Sequence, residues 1–597
     1  KNSAPLFTAA SILSGSHKLE LPAGFHKILS FISIKKSVEF NLKLCVFISI
    51  PIFAELEAKS RNLNWWKEAV IYQIYTRSYA DSNGDGIGDL NGITAKLDYL
   101  ADLGIDVIWL TPFYESPNAD FGYDIQDYMT VGSEYGTLSD YDKLIREAAS
   151  RGIYVINDLV LNHTSDRHPW FINSRSSRSS NKRDWYIWRD PIDDAPPNNW
   201  QSIFGGSAWK MDALTGQYYY HFFYSGQPDL NWRNSEVQDA LSEVMRFWLD
   251  RGAAGFRLDV PDTLLEDPEM RDNPIDEGLN WVGDPNMKHK YNMDLPEVHG
   301  IMRQLRKVVD EYPAAILLGE TGSPETIDEL LVWYGESDEL HLAMNFLYTN
   351  VRELSAEKFT RHVIESNKHT DIAWPVYLLS NHDRTRHLSR FADGLHNNAI
   401  AKQLAAMTLT LRGTPILYYG EEIGMTTQDP VRLEDVKDPI GRLFWPDFKG
   451  RDGSRTPMQW NSSQYSGFSQ VKPWLGIPIS ATKINVEIQL NDDQSILTFY
   501  RKLLAVRNSS SALRHGEWTH IPIQNHEVFA YLRHSLSESV LVILNMSASE
   551  HDLDLHELVM NSKFEVLLSN YDRQVITEIL LNLQPYETVI ARVLKTQ

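Results

Sequence analysis

From Trp65 onward the chain alternates short apolar segments with stretches of helical period, and this alternation predicts a (β/α)8 barrel. Apolar runs of about four to seven residues, bounded by Gly, Pro or polar residues, are typical of parallel strands covered on both faces. An open doubly wound sheet is the competing fold, but no Gly-rich phosphate loop follows the first strand. The eight predicted strands cover residues 70–75, 107–110, 154–160, 255–260, 315–318, 340–346, 376–379 and 415–419.

The segments between these strands carry apolar stripes at helical spacing. In the segment 141–149 the apolar residues share one face, with Ser139 as the expected N-cap and Gly152 just past the end. Helices of this kind would cover the outside of the strands. Further helices are predicted at 237–249, at 298–309 and, closing the barrel, at 495–507.

The spacing of the strands locates two insertions. Strand three ends near Asp158 and strand four near Asp259, about a hundred residues apart, where one βα unit needs roughly thirty. Residues 164–225 are therefore expected to form an inserted subdomain, and a further loop is centred on 266–274.

After residue 512 the pattern changes to short alternating segments separated by turns, which predicts a small antiparallel β-sandwich. Its clearest predicted strands are 529–533, 540–544, 564–568 and 588–593. The predicted organisation is an N-terminal extension at 1–60, a barrel at 61–163 and 226–511, the subdomain at 164–225 and a C-terminal domain at 512–597.

The composition is that of a globular protein with an acidic balance. Hydrophobic residues make up 43% and charged residues 23% of the chain, as in ordinary folded domains. The net charge of −22 argues against a nucleic-acid partner, because phosphates would be repelled. No run of about 20 apolar residues occurs, so no membrane-spanning segment is expected. We expect a monomer or a weak homodimer.

Residues 1–60 differ from the rest and are expected to be disordered or signal-like. Lys43 precedes an apolar run, 44–54, that has the length of a secretory h-region. Residues 41–54 are therefore read either as a signal peptide, although no Met starts it, or as part of an upstream extension of the reading frame. The single cysteine, Cys45, lies in this segment. A cysteine-free body favours the cytoplasm, with secretion as the alternative.

The predicted fourth strand, 255–260, carries two charges in an otherwise apolar run. Strand side chains alternate, so Arg257 and Asp259 point to one face and the apolar residues between them to the other. Buried charges cost several kcal/mol unless they are paired. The hexamer alone is compatible with a structural salt bridge or with a catalytic pair.

Other strands also end in polar residues, and the active sites of barrel enzymes are built at this end. Three carboxylates among them would converge on one mouth, and like charges need a shared proton or cation. A pair of carboxyl groups is what glycoside hydrolysis requires, one as acid and one as nucleophile or base. The polar strand ends are Asp158, Asn162 and His163, then Arg257 and Asp259, then Glu320, and finally Asn381, His382 and Asp383.

These motifs resemble those of the alpha-amylase family of glycoside hydrolases (family 13), in its alpha-glucosidase and oligo-1,6-glucosidase branch. The resemblance covers roughly residues 63–597 and is closest in WWKEAVIYQIY, DSNGDGIGDLNGI, SPNADFGYDIQDY, GTPILYYGEE and RTPMQW. The ordered motifs are DLVLNH at 158–163, QPDLN at 227–231, GFRLDV at 255–260, GE at 319–320 and NHD at 381–383. The barrel and a retaining mechanism are what this resemblance implies.

The resemblance also implies the catalytic roles. Asp259 matches the nucleophile that forms a covalent glucosyl-enzyme intermediate, and Glu320 matches the general acid that later acts as base. Asp383 matches the third carboxylate, which binds substrate hydroxyls and helps keep Glu320 protonated. Arg257 would favour the ionised nucleophile.

Five further positions match substrate contacts of the family. His163 and His382 resemble the pair that hydrogen-bonds the bound glucose, although a lone His is otherwise more often a core residue. Asp120, Tyr123 and Arg455 match positions that close the pocket around the terminal glucose. An ordinary loop salt bridge between Asp120 and Arg455 is the alternative.

The loop 81–89 presents oxygen atoms at alternate positions. It starts like an EF-hand, but Gly92 stands where a bidentate Glu belongs and no helix precedes it. In the family the equivalent loop binds a calcium or magnesium ion remote from the chemistry. An Asx-rich turn without metal is the alternative, and no organic cofactor is expected. The candidate ligands are Asp81, Asn83, Asp85, Ile87 through its carbonyl, and Asp89.

The substrate indications conflict. Val260, directly after the expected nucleophile, resembles the members that cleave α-1,6 bonds, whereas Pro261 departs from that branch. The loop 266–274 resembles one in maltose-type α-glucosidases. We expect an exo-acting α-glucosidase, of the maltase type, that releases glucose from short oligosaccharides or sucrose, with isomaltose and α-1,6 cleavage as an alternative.

Two rivals remain at this level. A transglucosidase, or an enzyme that isomerises sucrose or maltose, would use the same intermediate but pass the glucosyl group to a sugar. A non-catalytic relative that assists a transporter would have lost the carboxylates or would carry a membrane anchor. This chain keeps Asp259, Glu320 and Asp383, which favours an enzyme.

Overall fold

The computed structural model describes residues 64–597, except for residues 281, 323, 371, 556–561, 577–579, 596 and 597. The predictions about the extension 1–60, including the signal-like run 41–54 and Cys45, lie outside the described residues. No helix in the described part of the chain is long and apolar enough to cross a membrane.

Eight parallel strands form the central sheet, which confirms the predicted barrel class. The hydrogen-bonded order is β6-β5-β4-β3-β2-β1-β8-β7, and the described residues form no ladder between β6 and β7. Chain neighbours are therefore sheet neighbours, as in a barrel of βα units. The strands are β1 (Ile71–Ile74), β2 (Val107–Leu110), β3 (Tyr154–Val160), β4 (Gly255–Asp259), β5 (Ile316–Gly319), β6 (Leu342–Ala343), β7 (Val376–Leu378) and β8 (Thr414–Tyr418).

The sixth strand is much shorter than the segment 340–346 that predicts it. Only Leu342 and Ala343 pair with β5. The chain then turns at Asn345, whose side chain accepts a hydrogen bond from the Tyr348 backbone N–H and caps a short helix, Phe346–Thr349. An Asn cap competes effectively with strand pairing because it satisfies a free helix N–H.

Helices cover the outside of the strands, as the helical stripes predict. The helix after β2 starts two residues earlier than expected: Thr137, not Ser139, is the N-cap, and its side chain and that of Asp140 form a reciprocal capping box. The principal helices after β1 to β8 are Leu90–Thr94 with Leu97–Leu103, Leu138–Ser150, Ser235–Asp250, Val298–Asp310, Ile327–Leu331, Ala356–Asn367, His387–Phe391 with Asn397–Thr410, and Ile496–Ser509.

Side chains of the barrel strands alternate between two cores. On β4, Phe256 and Leu258 pack in the outer core between strands and helices, whereas Arg257 lies inside the barrel over the Trp109 ring at 5.1 Å. The alternation predicted for this strand is therefore observed. The interior core consists of Trp66, Ala69, Ile71, Val107, Trp109, Ile156, Ile316, Leu318, Leu342, Met344, Phe346, Trp374, Val376, Leu378 and Ile416.

The segment 164–225 contains a helix, Pro169–Arg175, and a three-stranded antiparallel sheet. The loop after β4 continues into a hairpin of strands Ile275–Leu279 and Pro285–Met287. The sheet strands of the 164–225 segment are Trp188–Arg189, Gln217–Tyr220 and Trp209–Asp212, in that spatial order.

The C-terminal strands form a six-stranded and a two-stranded antiparallel sheet, with spatial orders β9-β10-β11-β16-β13-β14 and β12-β15. Residues of both sheets share one apolar core, which includes Ile543 and Leu581. The strands are β9 (Glu517–Ile521), β10 (Val528–His534), β11 (Ser539–Asn545), β12 (His551–Asp554), β13 (Ser562–Ser569), β14 (Val575–Ile576), β15 (Leu580–Leu583) and β16 (Thr588–Lys595).

Candidate active site

The carboxyl ends of β3, β4 and β5 bring three acidic side chains to one guanidinium. Arg257 donates to Asp158 Oδ1 at 2.6 Å and to Asp259 Oδ1 at 2.8 Å, and it also forms an ion pair with Glu320. The register explains the convergence, since Arg257 pairs with Asp158 on one side and with Leu318, two residues before Glu320, on the other. Arg257 is the cation that the cluster of like charges requires.

A second pair of guanidiniums holds Asp383, which follows β7. Arg455 Nη2 lies 2.7 Å and Arg451 Nη1 3.2 Å from Asp383 Oδ1. The side chains of Asp259, Glu320 and Asp383 are 11, 15 and 28% exposed. All three carboxyl groups are therefore within reach of a ligand that enters the mouth.

The ion pair at the far wall is not the Asp120–Arg455 salt bridge that was considered as the alternative. Asp120 is bound by Arg451, Nη2 to Oδ1 at 2.9 Å, and not by Arg455, which hydrogen-bonds the His382 carbonyl and Asp383. Arg451 is in turn anchored by the buried Asp438 at 2.9 Å. An Arg guanidinium has five N–H donors, and Arg451 uses them to bind the carboxylates of Asp120, Asp383 and Asp438.

Tyr123 and His382 form a stacked, hydrogen-bonded pair at the base of the site. Their rings are nearly parallel at 5.3 Å. The Gln73 amide donates to His382 Nδ1 at 2.8 Å, so the Nε2–H of His382 donates to the Tyr123 hydroxyl at 2.6 Å. The hydroxyl then donates to Asp158 Oδ2 at 3.1 Å. This chain fixes the orientation of the ring beside Asp383.

His163 lies behind Tyr123 and is fully engaged by its neighbours. Its Nε2–H donates to the Tyr123 carbonyl at 3.1 Å, and Nδ1 accepts from the Asn162 amide at 3.2 Å. Burial lowers its pKa to about 4, so the ring is neutral. A sugar hydroxyl would have to replace one of these bonds to reach it.

The carboxyl groups of Asp259 and Asp383 have pKa values that are shifted in opposite directions. Burial raises the pKa of Asp259 to about 7; Arg257 opposes this shift, and the Asp158 and Asp383 charges reinforce it. Burial also disfavours the charge on Asp383, but the Arg451 and Arg455 guanidiniums hold its pKa well below the ordinary value. Asp383 is therefore the firmly ionised member of the cluster.

Burial also shifts the pKa values of Asp120 and His382, at the closed end and the base of the site. Burial raises the pKa of Asp120 to about 6, and Arg451 and Arg455 act against that shift. Gln227 donates its amide to Asp120 Oδ2 at 3.3 Å. Burial lowers the pKa of His382 well below its ordinary value, so its ring is neutral.

The candidate metal loop folds as a chain of Asx turns, separate from the acidic mouth. Asp81 accepts the backbone N–H groups of Gly84 at 2.7 Å and of Gly86 at 2.9 Å. Asp85 accepts the Ile87 N–H at 2.8 Å. Asn83 completes the turn by accepting the Asp85 N–H at 2.9 Å.

Asp89 differs from the other candidate ligands because it caps the helix Leu90–Thr94 and also binds Ser82. Within the described residues no group of three or more His, Cys, Asp or Glu side chains converges on a metal-sized point. The oxygen donor set of the loop nevertheless matches a hard cation in chemistry. The bound ion stays a prediction.

Sequence reasoning missed Arg451 and Asp438 as members of the site. Arg451 had a signal, because it lies one helical turn before Arg455 in GRDGSRTPMQW. Asp438 had none, since its role depends on a loop that folds back on Arg451. Asp158, within β3, was among the polar residues expected at the strand ends but was not assigned a role.

Comparison with known families shows the family to which this chain belongs. A family model described as the alpha-amylase catalytic domain matches residues 73–516, and the model of the alpha-amylase SusG C-terminal domain matches residues 528–590. The chain belongs to the alpha-amylase family. The recognition made from the motifs is confirmed.

Relatives within the alpha-amylase family narrow the activity. A probable alpha-glucosidase of Rhizobium meliloti (strain 1021) is 45% identical over 495 residues, 81% of this chain and 90% of the relative. An oligo-1,6-glucosidase of Parageobacillus thermoglucosidasius is 38% identical over 560 residues, 89% of this chain and 99% of the relative. The solved structure of an alpha-glucosyl transfer enzyme is 40% identical, with a TM-score of 0.82, and covers 89% of this chain and 99% of its own. This member of the alpha-amylase family is a glycoside hydrolase, either a glucosidase or a transglucosidase.

Proposed function

We propose that this chain is a retaining, exo-acting α-glucosidase that releases terminal glucose from short α-glucosides such as maltose-type oligosaccharides, sucrose and isomaltose. One observation carries the proposal: Arg257 binds both Asp259 and Glu320, two carboxyl groups at the ends of adjacent strands. Retaining glycosidases use such a pair, held about 5–5.5 Å apart.

In the first step of the proposed reaction, the Asp259 carboxylate attacks the anomeric carbon of the bound glucose. Glu320 donates its proton to the glycosidic oxygen, and the bond between that oxygen and the anomeric carbon breaks. The departing sugar leaves with the proton, and a glucosyl ester forms on Asp259. Because Asp259 must be ionised, Arg257 supports this step by opposing the effect of burial on the Asp259 pKa.

In the second step a water molecule takes the place of the departed sugar. The Glu320 carboxylate accepts a proton from this water as its oxygen attacks the anomeric carbon. The ester bond to Asp259 breaks, and glucose leaves with the original configuration. Asp383, ionised at all relevant pH values, would bind ring hydroxyls on the opposite side.

Exo action follows from the closed end of the site. Arg451 joins Asp120 to Asp383 and is itself held by Asp438, while Tyr123 and His382 form the base. A sugar chain could not pass through this wall, so only a terminal glucose would fit. Asp120 would accept hydrogen bonds from its hydroxyls, Arg455 would donate to them, and His163 would exchange one of its present bonds for a sugar hydroxyl.

Conversion of Asp259 to Asn tests the assignment of the nucleophile. An amide cannot form the ester, so Asp259→Asn should lower kcat on an aryl α-glucoside by roughly 10⁴-fold. Thermal unfolding should change little, because the substitution removes one of several crowded negative charges. Turnover within tenfold of the parent protein would overturn the assignment.

Transfer to a sugar acceptor is the second candidate, supported by the similarity to the glucosyl transfer enzyme. The two candidates differ in whether water or a sugar accepts the glucosyl group from the ester on Asp259. Product analysis at high maltose or sucrose separates the two, since transfer or isomerised products that dominate throughout would contradict the hydrolase.

The preferred linkage is a separate question. Val260, which directly follows the proposed nucleophile in the chain, adopts a left-handed conformation with φ of 34° that is strained for a β-branched residue. Together with the similarity to the oligo-1,6-glucosidase, this keeps α-1,6 cleavage as an alternative. Initial rates on maltose, isomaltose and sucrose measured side by side give the answer.

We propose that the Asx loop holds a structural calcium or magnesium ion. Asp81, Asn83 and Asp85, with the Ile87 carbonyl and Asp89, would supply its oxygen ligands and lock the turn. Removal of the ion with a chelator should lower the Tm by a few degrees without changing kcat. An Asp85→Ala variant whose Tm no longer responds to calcium or magnesium would support the site, and an unchanged response would refute it.

A further inference from the structure

A cavity of about 330 Å³ lies in the inserted segment, between the strand Trp188–Arg189 and the loop that follows β4. Its volume falls at the lower end of the range of about 300–1,000 Å³ that is typical of ligand sites. None of the residues predicted to contact the glucosyl substrate lines it. The charged residues of its wall are Arg178, Arg183, Asp184, Arg189, Arg233 and Glu266.

The wall of this cavity is rich in positive charge, although the protein as a whole is acidic. Four guanidiniums face one cavity in a chain whose net charge is −22. Two of them are partly neutralised: Arg178 pairs with Asp190 at 2.9 Å and Arg233 weakly with Glu297 at 3.5 Å. Both of these pairs are half exposed and are screened by solvent.

The other two guanidiniums form no close ion pair among the described residues, although the Asp212 carboxylate acts on Arg183 and the Glu266 and Asp184 carboxylates act on Arg189 from a distance. Arg183 stacks on the Trp188 ring at 3.5 Å and donates to neutral oxygens, among them the Ser174 carbonyl. Arg189 makes a single hydrogen bond, to the Trp188 carbonyl at 2.8 Å. Burial lowers the pKa of both, that of Arg183 to about 10. An anion would offset this cost.

Glu266 forms an inner wall of the cavity. Its side chain is buried, and Oε1 has no hydrogen-bond partner. Burial and the neighbouring Asp229 charge raise its pKa well above the ordinary value, although Arg233 and Arg189 act against the shift. The raised pKa favours the protonated carboxyl group, whose O–H can donate to a ligand oxygen.

We propose that this cavity binds a phosphate group, either as inorganic phosphate or as part of a sugar phosphate. Guanidiniums match phosphate oxygens in paired hydrogen bonds, and Arg189 has donors left over for them. The Glu266 carboxyl group, in its protonated form, adds a further donor at the inner wall. The cavity is larger than a phosphate ion alone, which leaves room for a sugar.

Calorimetric titration of the full chain at constant ionic strength tests the proposal. Inorganic phosphate and glucose 6-phosphate are the probes, and glucose is the neutral control for binding at the catalytic mouth. Saturable binding of inorganic phosphate is expected. Affinity at least about tenfold higher for glucose 6-phosphate would identify a sugar-phosphate site, and equal affinity a phosphate site. Absence of saturable binding by both probes would overturn the proposal.

Arg189→Gln is the informative variant, because Arg189 contributes one hydrogen bond to the fold and lies outside the catalytic machinery. It should weaken phosphate binding by about tenfold or more while hydrolysis stays unchanged. Arg246→Gln removes an exposed guanidinium that pairs with Glu311 and serves as the control for net charge. Should Arg189→Gln not fold, Arg233→Gln takes its place. Equal loss in the variant and the control would overturn the proposal.

Discussion

The interior of the barrel has two halves built from the same strands. Toward the amino ends of the strands, side chains such as Ile71, Val107 and Ile316 form a dry apolar core. Two to four residues further along, the same inward positions carry Asp158, Arg257 and other charged groups.

The two halves make opposite contributions to the stability of the fold. Burial of the lower layers contributes about 25 cal/mol per Å² of apolar surface, whereas the upper layer gathers charges that burial disfavours. A cluster of this kind persists only because the surrounding strands hold it in place. The two halves should therefore respond in opposite ways to substitution.

The largest effect is expected from Arg257→Lys in the upper half. A lysine ammonium is a point charge and cannot bridge Asp158, Asp259 and Glu320 together. We expect kcat/KM to fall by at least about 100-fold, or roughly 3 kcal/mol, with a lower Tm as well. Arg246→Lys on the outer surface is the control, and steady-state kinetics with thermal unfolding are the measurements. A variant with near-normal activity would show that Arg257 is not the central cation.

Ile316→Ala probes the lower half. Ile316 is buried in the interior core, so the cavity should cost about 2–5 kcal/mol of unfolding free energy. The activity of each folded molecule should stay within about twofold, because the charged layer is untouched. Urea unfolding and active-site titration measure the two quantities. Loss of activity without loss of stability would contradict this division of the barrel.

Asp262 offers a titration test beside the upper layer. It is buried, its Oδ1 has no partner, and burial, reinforced by Asp294, raises its pKa to about 7. The folded state therefore keeps a proton that the unfolded chain releases near pH 4, so this group lowers stability as pH rises from about 4 to 7.

Replacement of that group by a neutral amide should remove the pH dependence. Asp262→Asn should match the parent at pH 4 and exceed it at pH 8 by on the order of a few kcal/mol. Unfolding measured across this pH range gives the comparison. An equal slope in both proteins would mean that Asp262 is ionised in the folded state.

The smallest effect is expected at the closed end of the site. Arg451→Lys should raise the KM for maltose-type substrates by about tenfold, with a smaller change in kcat, because the wall holds the terminal glucose and not the reacting bond. Arg432→Lys, an exposed site paired with Asp435, is the control. A kcat effect that exceeds the KM effect would place Arg451 in the chemistry itself.

Much of the fold could be predicted because its signals are local. Alternation along 255–260 indicated a strand with Arg257 and Asp259 on one face, and the structure has that strand at Gly255–Asp259. The apolar stripe after β2 indicated a helix, but the cap was misplaced because Thr137 and Ser139 are equally good N-cap residues. The predicted length of β6 was wrong because the Asn345 cap, and not the end of the apolar run, ends the strand.

The sequence by itself determined the order of strands, the residues at their carboxyl ends and the family motifs that name them. These depend on periods of 2 and 3.6 residues and on short motifs, which any segment carries with it. Only the tertiary structure decided that Asp120 pairs with Arg451 and not with Arg455, and that His163 is engaged by Tyr123 and Asn162. The first pair is 331 residues apart in the chain and His163 is 40 residues from Tyr123, so both contacts depend on how the barrel brings the loops together. The same convergence places Asp158, Asp259 and Glu320 around one guanidinium.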